Sequence, residues 1–325
     1  MIAHAIRMDT QGSPDVLQLK EVEIGSPGSG QVLIRQTACG LNFLDVYHRS
    51  GAYPLPLPSG CGSEAAGIIE ALGPDVTGFR EGDRVAYQGG EPGAYADRRI
   101  LTTARLVKIP DGVPDESAAA ALLKGMTVEY LLNRCVNLRS GDFALMYAAA
   151  GGVGLLAGQW AKHLGIRLIG VAAGREKCER ALANGYFAVI DRNSEDILAR
   201  VKEMTGGRGV PVVFDSVGKA TFDISIDCLA PRGIFVSFGA TSGPPPPVEA
   251  SLLQKKGSLY FTRPTLVHYA SSPEDYAASA TAVFDLVAKG VLKPEIGQRY
   301  PLSEAARAHQ DLESGRTSGS SILIP

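Results

Sequence analysis

The fold turns on Phe143-Ala144-Leu145-Met146-Tyr147-Ala148-Ala149-Ala150-Gly151-Gly152-Val153-Gly154-Leu155. Five apolar residues run without alternation, which suits a strand buried on both faces of a parallel sheet. A turn of small residues follows, and Leu155 to Leu164 continues as a helix-like segment. Strand, glycine turn and helix in that order provide the context that a phosphate-binding turn requires. Gly151 and Gly152 let the backbone approach a pyrophosphate, and Gly154 lets the helix pack closely on the sheet. The pyrophosphate then sits on the helix N-terminus, where unpaired N–H groups and the helix dipole favour anions. Ala150 and Val153 complete the turn. Its spacing is AxxGxxG rather than GxGxxG. The competing explanation is an Ala/Gly-rich turn made only for packing, and the surrounding pattern weighs against it.

That pattern runs from Gly141 to Gly239. Leu168 to Ala172, Pro211 to Phe214 and Ile234 to Phe238 are further apolar runs bounded by turn residues, with helix-like segments between them. The alternation reads as βαβ units. The four prolines within Ser242 to Pro247 form an extended loop. An NAD site usually carries an Asp or Glu about 20 residues after the glycine turn, bonded to the ribose 2′-hydroxyl. Here the second run ends without an acid, and Gly174, Arg175, Glu176 and Lys177 follow. A missing carboxylate with Arg175 and Lys177 nearby suits a 2′-phosphate, so the expected cofactor is NADPH. Arg192, after the next strand-like run, adds a second cation or stacks on the adenine. Each of these cations is otherwise a solvated surface charge. Ser216 and Phe238-Gly239 follow strand ends, where open α/β sheets bind ligands.

The rest of the chain is different in texture. Residues 1 to about 120 are β-rich and loop-rich. Val16 to Val22 and Gln31 to Arg35 alternate like half-buried strands, as in a small barrel or sandwich. The Ala-rich stretch Glu116 to Leu123 favours helix. The tail holds a helix-like Glu274 to Lys289 and a strand-like Ser321 to Ile324. At 60 residues or so it is short for a domain of its own and is expected to complete the first. The expected domains are therefore 1–122 completed by 265–325, and 123–264. A length of 325 residues fits two domains. No apolar run is long enough to span a membrane, and the N-terminus has no signal core. Net charge is −2, which disfavours an extended nucleic-acid surface. The five cysteines form no CxxC pair and the five histidines no HExxH helix, so a cytoplasmic, metal-free protein is expected.

Several segments carry a resemblance that covers nearly the whole chain. They are Gly141-Asp142 through Gly154 with Gln159 and Lys162, and Gly40 to Tyr47. Pro58 to Gly67, Lys124-Gly125-Met126-Thr127 and Phe261-Thr262-Arg263-Pro264 agree. Together they resemble zeta-crystallin-type quinone oxidoreductases of the medium-chain dehydrogenase/reductase superfamily. The resemblance implies an α/β protein: a Rossmann domain with a doubly wound parallel sheet, plus a GroES-like β-rich catalytic domain built from both chain ends. It also implies a homodimer joined edge to edge through the Rossmann sheets. Zinc alcohol dehydrogenases of the superfamily carry a catalytic Cys shortly after this Gly40 and a His before this Glu64. Here Asn42 follows Gly40 and Ser63 precedes Glu64. Cys39 and Cys61 fall off the ligand positions and read as small buried hydrophobes.

The expected chemistry is hydride transfer from NADPH to a quinone, the cofactor supplying the reactivity and the protein the positioning. By resemblance Asn42, Tyr47 and Thr127 lie near the nicotinamide. Asn42 or Tyr47 donates to the substrate oxygen, and Tyr53 shapes the cleft; both tyrosines could equally be packing residues with satisfied hydroxyls. The resemblance also puts Phe238, Gly239, Phe261 and Arg263 along the nicotinamide half or its ribose, and Arg263 alternatively braces a hinge. Arg316, before Thr317-Ser318-Gly319, is the weakest of the cofactor candidates. Asp45 ties its loop to nearby amides, and Glu64 anchors a loop or a cation. One alternative is reduction of enones or enoyl thioesters, with Arg49 and Arg80 as surface cations at the cleft mouth. Another is a non-catalytic NADPH-binding protein, crystallin-like or RNA-binding.

Overall fold

The computed structural model describes residues 1–325, and the chain divides into two compact units, Met1–Met126 with Ser272–Pro325, and Thr127–Ser271. The 122/123 boundary expected from sequence falls inside one helix, and 264/265 falls just after a strand.

The first unit is GroES-like. Strands β3 (Gln31–Leu41), β5 (Glu64–Leu72), β6 (Arg84–Gln88), β8 (Leu106–Lys108), β15 (Ile296–Pro301) and β16 (Ser320–Ile324) lie in the order β15-β16-β3-β5-β6-β8. Strand β7 (Arg98–Thr102) pairs with β3 off this path. A three-stranded sheet pairs β1 (Ile2–Met8) with β2 (Gln18–Glu23) and β4 (Ser59–Gly60). Inward residues of both chain ends, among them Ile34, Leu41, Ile69, Tyr95 and Leu323, share one buried cluster. The tail strand β16 pairs antiparallel with β3, Leu323 opposite Cys39. β2 starts two residues later than the alternation predicts. Pro14 opens a single 3-10 turn over Pro14–Val16, and Leu17 N–H bonds back to the Pro14 carbonyl. Leu19 on that strand is exposed, so this pattern marked pairing rather than a buried face.

Helix α1 (Phe43–Ser50) begins where β3 ends, and α2 (Asp115–Asn133) extends ten residues beyond the Ala-rich stretch. Helices α9 (Pro273–Ala288) and α10 (Ala305–Glu313) belong to the tail, where Ser272 caps α9 by accepting from Asp275 N–H.

The second unit is the Rossmann domain. Strands β9 (Phe143–Tyr147), β10 (Arg167–Ala172), β11 (Ala188–Asp191), β12 (Val210–Asp215), β13 (Leu229–Ser237) and β14 (Tyr260–Thr262) are all parallel, in the order β11-β10-β9-β12-β13-β14. The order reverses at β9, which carries the glycine turn. Helices α3 (Gly152–Leu164), α4 (Arg175–Ala183), α5 (Ile197–Met204), α6 (Phe222–Cys228) and α7 (Ala250–Lys255) make the crossovers, and the short α8 (Leu266–Tyr269) follows β14. The apolar runs without alternation are buried on both faces: Ala144, Leu145, Val213 and Phe235 have no exposed surface. No helix is long and apolar enough to cross a membrane.

Close packing sets the glycine turn. A Cβ at position 154 would lie 2.3 Å from the Ala148 carbonyl oxygen and 2.6 Å from that of Ala149. Both are backbone atoms and cannot swing away. Helix propensity alone would favour Ala over Gly here by about 1 kcal/mol. The contact reverses that sign, and Gly154→Ala is expected to destabilise by about 1–3 kcal/mol. Gly151→Ala meets the same carbonyl only at 3.3 Å and should cost clearly less. Urea unfolding of both variants would check the order; equal midpoints would refute it.

Candidate functional site

In the second unit the candidate residues gather at the C-terminal ends of the parallel strands. Gly151 caps α3 from an extended conformation and offers no side-chain oxygen to the helix, so the first amides of α3 face outward without an intrahelical partner. Ala148 takes a left-handed conformation (φ 55) so that its carbonyl folds back to accept from Gly151 N–H at 2.9 Å. The resulting cradle, from Ala150 through Gly151, Gly152 and Val153 to Gly154, fits a pyrophosphate.

Beyond β10, Gly174 caps α4, and the half-buried Lys177 lies in that helix's first turn. Arg192 follows β11 and is exposed; its N–H bonds to the Ala172 carbonyl, holding the two strand ends together. One feature of this turn escaped the sequence. The Asp191 carboxylate reaches across from β11 and accepts from Gly174 N–H at 2.8 Å and Asn193 N–H at 3.0 Å. An acid therefore does stand at the end of β10, but it comes from the neighbouring strand and is engaged by backbone amides. Those amides hold its pKa below the usual carboxylate range.

Ser216 follows β12, and Phe238 and Gly239 follow β13. Phe238 N–H bonds to the Asp215 carbonyl and Thr241 N–H to that of Ser216, so the two loops are stitched together. The fully buried Asp215 carboxylate fixes the first loop through Val217 N–H, Gly218 N–H, Thr221 Oγ1 and Ser225 Oγ. Arg263, after β14, donates to the Ser237 carbonyl at 2.9 Å. The Phe261 ring stacks on Phe235 at 5.4 Å, against the core. Thr127 is nearly buried on α2.

In the first unit, Asn42 is the N-cap of α1 and is almost fully buried. Its backbone N–H donates to Asp45 Oδ2 at 2.9 Å, and its side-chain Nδ2 donates to Glu64 Oε1 at 2.8 Å. Asp45 also accepts from Ser63 Oγ at 2.6 Å and Tyr95 OH at 3.0 Å. Tyr47 is half-buried one helical turn further, its ring 5.1 Å from that of Tyr53, which is partly exposed. Tyr53 N–H bonds to the Tyr47 carbonyl, closing the loop after α1. Arg316, in the tail, is bonded to Asp311 at 2.8 Å and to Ser314 Oγ at 2.9 Å.

Glu64 is completely buried and anchors both a loop and a cation. Its Oε2 accepts from Leu123 N–H at 2.7 Å, and Lys124 Nζ lies 3.2 Å from Oε1. Lys124 belongs to a segment that the sequence marked without giving it a role. Arg49 overturns its expectation as a surface cation. Its side chain is only 2% exposed and pairs with Glu313 at 2.7 Å, 264 residues away. Arg80 is exposed and pairs with Asp83. Arg49 is thereby no surface cation for a thioester, whereas Arg80 remains on the surface.

Cys39 and Cys61 are fully buried, and burial pushes both thiols up, Cys39 to about 12. Nowhere do three His, Cys, Asp or Glu side chains converge in a way that could hold a metal ion.

A Rossmann sheet with a glycine turn, joined in one chain to a GroES-like sheet built from both termini, is the architecture of the medium-chain dehydrogenase/reductases. Residues 28–111 match the alcohol dehydrogenase GroES-like domain, and residues 152–284 match the zinc-binding dehydrogenase domain. The chain is 50% identical to a quinone oxidoreductase of Pseudomonas aeruginosa over all of both chains. It is 42% identical to a 2-haloacrylate reductase of a Burkholderia species over 97% of each. The crystal structure of Escherichia coli quinone oxidoreductase complexed with NADPH superposes with a TM-score of 0.97 at 44% identity, covering 99% of this chain and 100% of that one. The chain belongs to the quinone oxidoreductase family of the medium-chain dehydrogenase/reductase superfamily.

Two buried groups near α1 respond to pH in opposite senses. Burial raises the Asp45 carboxyl from 3.8 to about 6, against the opposing bonds from Ser63, Asn42 and Tyr95. The folded state then holds a proton that the unfolded state releases, so this group's contribution to stability falls as pH rises from about 4 to 6. Burial lowers His309, bonded to Tyr95 OH at 3.2 Å, from 6.5 to about 3. Its contribution is present above about 6.5 and is lost as pH falls toward 3. The two offset each other across the shared window. Asp45→Asn should remove one side, so that variant's stability rises more steeply than wild type's between about pH 4 and 6.5, by on the order of 3 kcal/mol. Denaturant midpoints measured across that range would check it; parallel curves would refute it.

Proposed function

We propose that the chain is an NADPH-dependent quinone reductase that works without a metal. The observation that carries this is the cradle from Ala148 to Gly154, closed on its inner side by backbone contacts that only glycine allows and opening onto the N-terminus of α3. The named relatives and the NADPH-bound neighbour support it. When bound, NADPH supplies a hydride from its nicotinamide ring.

The residues of the chain bind and orient. The α3 amides take the pyrophosphate, and Gly174, Lys177 and Arg192 take the adenosine end with its 2′-phosphate. Thr127, Ser216, Phe238, Gly239, Phe261 and Arg263 serve the nicotinamide half, and Arg316 is the peripheral candidate. Asn42 and Tyr47 donate toward the quinone oxygen, on which charge develops during reduction. Tyr53 shapes the approach. The 2-haloacrylate reductase among the relatives favours activated alkenes as a second acceptor class. The free, mostly buried cysteines support a reducing compartment, the cytoplasm.

The test follows the loss of reduced-nicotinamide absorbance against ortho- and para-quinones, with haloacrylate, NADH and a chelator in parallel. Quinone-dependent, chelator-insensitive oxidation of NADPH in preference to NADH is expected. Lys177→Ala should weaken NADPH by about tenfold or more while leaving NADH nearly unchanged, the loss of one charge-assisted contact. Equal losses for both nucleotides would remove the 2′-phosphate assignment, and chelator-sensitive turnover would remove the metal-free mechanism.

We also propose a homodimer joined through the edge strand β14, where Tyr260 is 62% exposed. Sedimentation is expected to give a dimer that Tyr260→Arg weakens; a monomeric wild type would overturn it.

A further inference from the structure

We infer that Lys124, acting through the buried carboxylate of Glu64, sets the orientation of the Asn42 amide, and that Lys124 and Glu64 are positioning residues for the hydride acceptor. This rests on the reading of Asn42 as a residue that binds the acceptor.

The two ends of an asparagine amide have nearly the same shape, and only their hydrogen-bond partners distinguish them. One partner here is decisive. An ionised carboxylate accepts and cannot donate, so a bond from Asn42 to Glu64 must use Nδ2, as observed at 2.8 Å. One Nδ2 hydrogen is thereby committed, which leaves the other hydrogen and Oδ1 in a fixed arrangement. Glu64 has no exposed surface, and its charge is countered by the buried Lys124 ammonium at 3.2 Å. The charge on Lys124 thus favours the ionised Glu64 that takes the Nδ2 end of Asn42.

A purely structural explanation accounts for less. The start of α1 is already secured by the bond from Asn42 N–H to Asp45, so the helix does not need Glu64. Buried ion pairs are weak stabilising devices, often replaceable by apolar residues without loss. The fold nevertheless makes room for this one. A Cβ at position 40 would lie 2.2 Å from Glu64 Oε1 and 2.3 Å from the Ala119 carbonyl, so β3 must carry glycine beside the carboxylate.

Removing the ammonium has a specific consequence. A buried carboxylate without its cation takes up a proton at a higher pH. Once protonated, Glu64 can donate as well as accept and no longer dictates which end of the Asn42 amide faces it, leaving the capping contact with the Asp45 backbone as the remaining constraint. The other titratable groups acting on this region are Asp45, Cys39 and Tyr276. Asp45, raised to about 6, is the one among them that titrates below neutrality, and its limb already belongs to the wild-type reference profile.

The experiment compares Lys124→Met, Glu64→Gln and the double variant with wild type from about pH 5 to 9. Its readouts are kcat/KM for a quinone, NADPH affinity by fluorescence titration, and the NMR signals of the Asn42 side-chain amide. For Lys124→Met we expect a new acid limb in kcat/KM, with a loss of about tenfold or more at the acid end and recovery toward alkaline pH. The Asn42 signals should shift over the same limb. Glu64→Gln should lower kcat/KM across the whole range without a new limb, and the double variant should also lack it. NADPH affinity should stay within about twofold throughout. A Lys124→Met profile that superimposes on wild type, with unmoved Asn42 signals, would overturn the inference. So would losses that track NADPH affinity. Absence of quinone turnover in wild type would instead overturn the parent reading, and shifted Asn42 signals would still identify the orienting pair.

Discussion

A single buried carboxylate, that of Glu64, ties together four elements of the GroES-like unit. It opens β5, lies against the glycine of β3, accepts from the backbone and side chain of α2, and holds the residue that starts α1. A charge with no exposed surface is tolerated when it is paired and hydrogen-bonded. Here an amide, a backbone N–H and an ammonium supply those partners. Asp45 plays the complementary part. It takes the backbone N–H of Asn42 together with two hydroxyls, so the Asn42 main chain and side chain are fixed by different carboxylates. A residue held from two sides can present a donor to a ligand without reorganising, which is what electrostatic stabilisation of a developing charge requires.

The Rossmann unit solves a related problem differently. Its candidate binding groups are backbone amides and loops at strand ends, and loops there must be rigid to be useful. Buried or partly buried carboxylates supply the rigidity. Asp215 fixes the loop after β12 through two amides and two hydroxyls, and Asp191 joins the turns after β10 and β11. The glycine turn is rigid for a steric reason instead, because α3 approaches the carbonyls of Ala148 and Ala149 too closely for any side chain.

Much of this was legible in the chain. The unalternating runs at 143–147 and 168–172 became central parallel strands because burial on both faces selects apolar residues at every position. The family resemblance marked the Asn42-to-Glu64 neighbourhood as a candidate site, and Asp45 and Glu64 could be expected to anchor something. Their partners could not be named. Lys124 sits in a quoted segment, yet nothing local says that its ammonium meets a carboxylate 60 residues earlier. Arg49 was expected as a surface cation, the usual place for an arginine. Its burial follows from Glu313, at the far end of the chain.

By itself, the sequence determined the βαβ order and the glycine turn, and its motifs carried the family resemblance. The first two are written in residues close together along the chain, where periodicity and spacing act through local backbone geometry. Only the tertiary structure decided which carboxylate meets which donor: Asp191 at Gly174, Glu64 at Asn42 and Lys124, Glu313 at Arg49. Charges attract at a distance without imposing any pattern on the residues between them, so such pairings leave no trace in the sequence until the sheets bring the partners together.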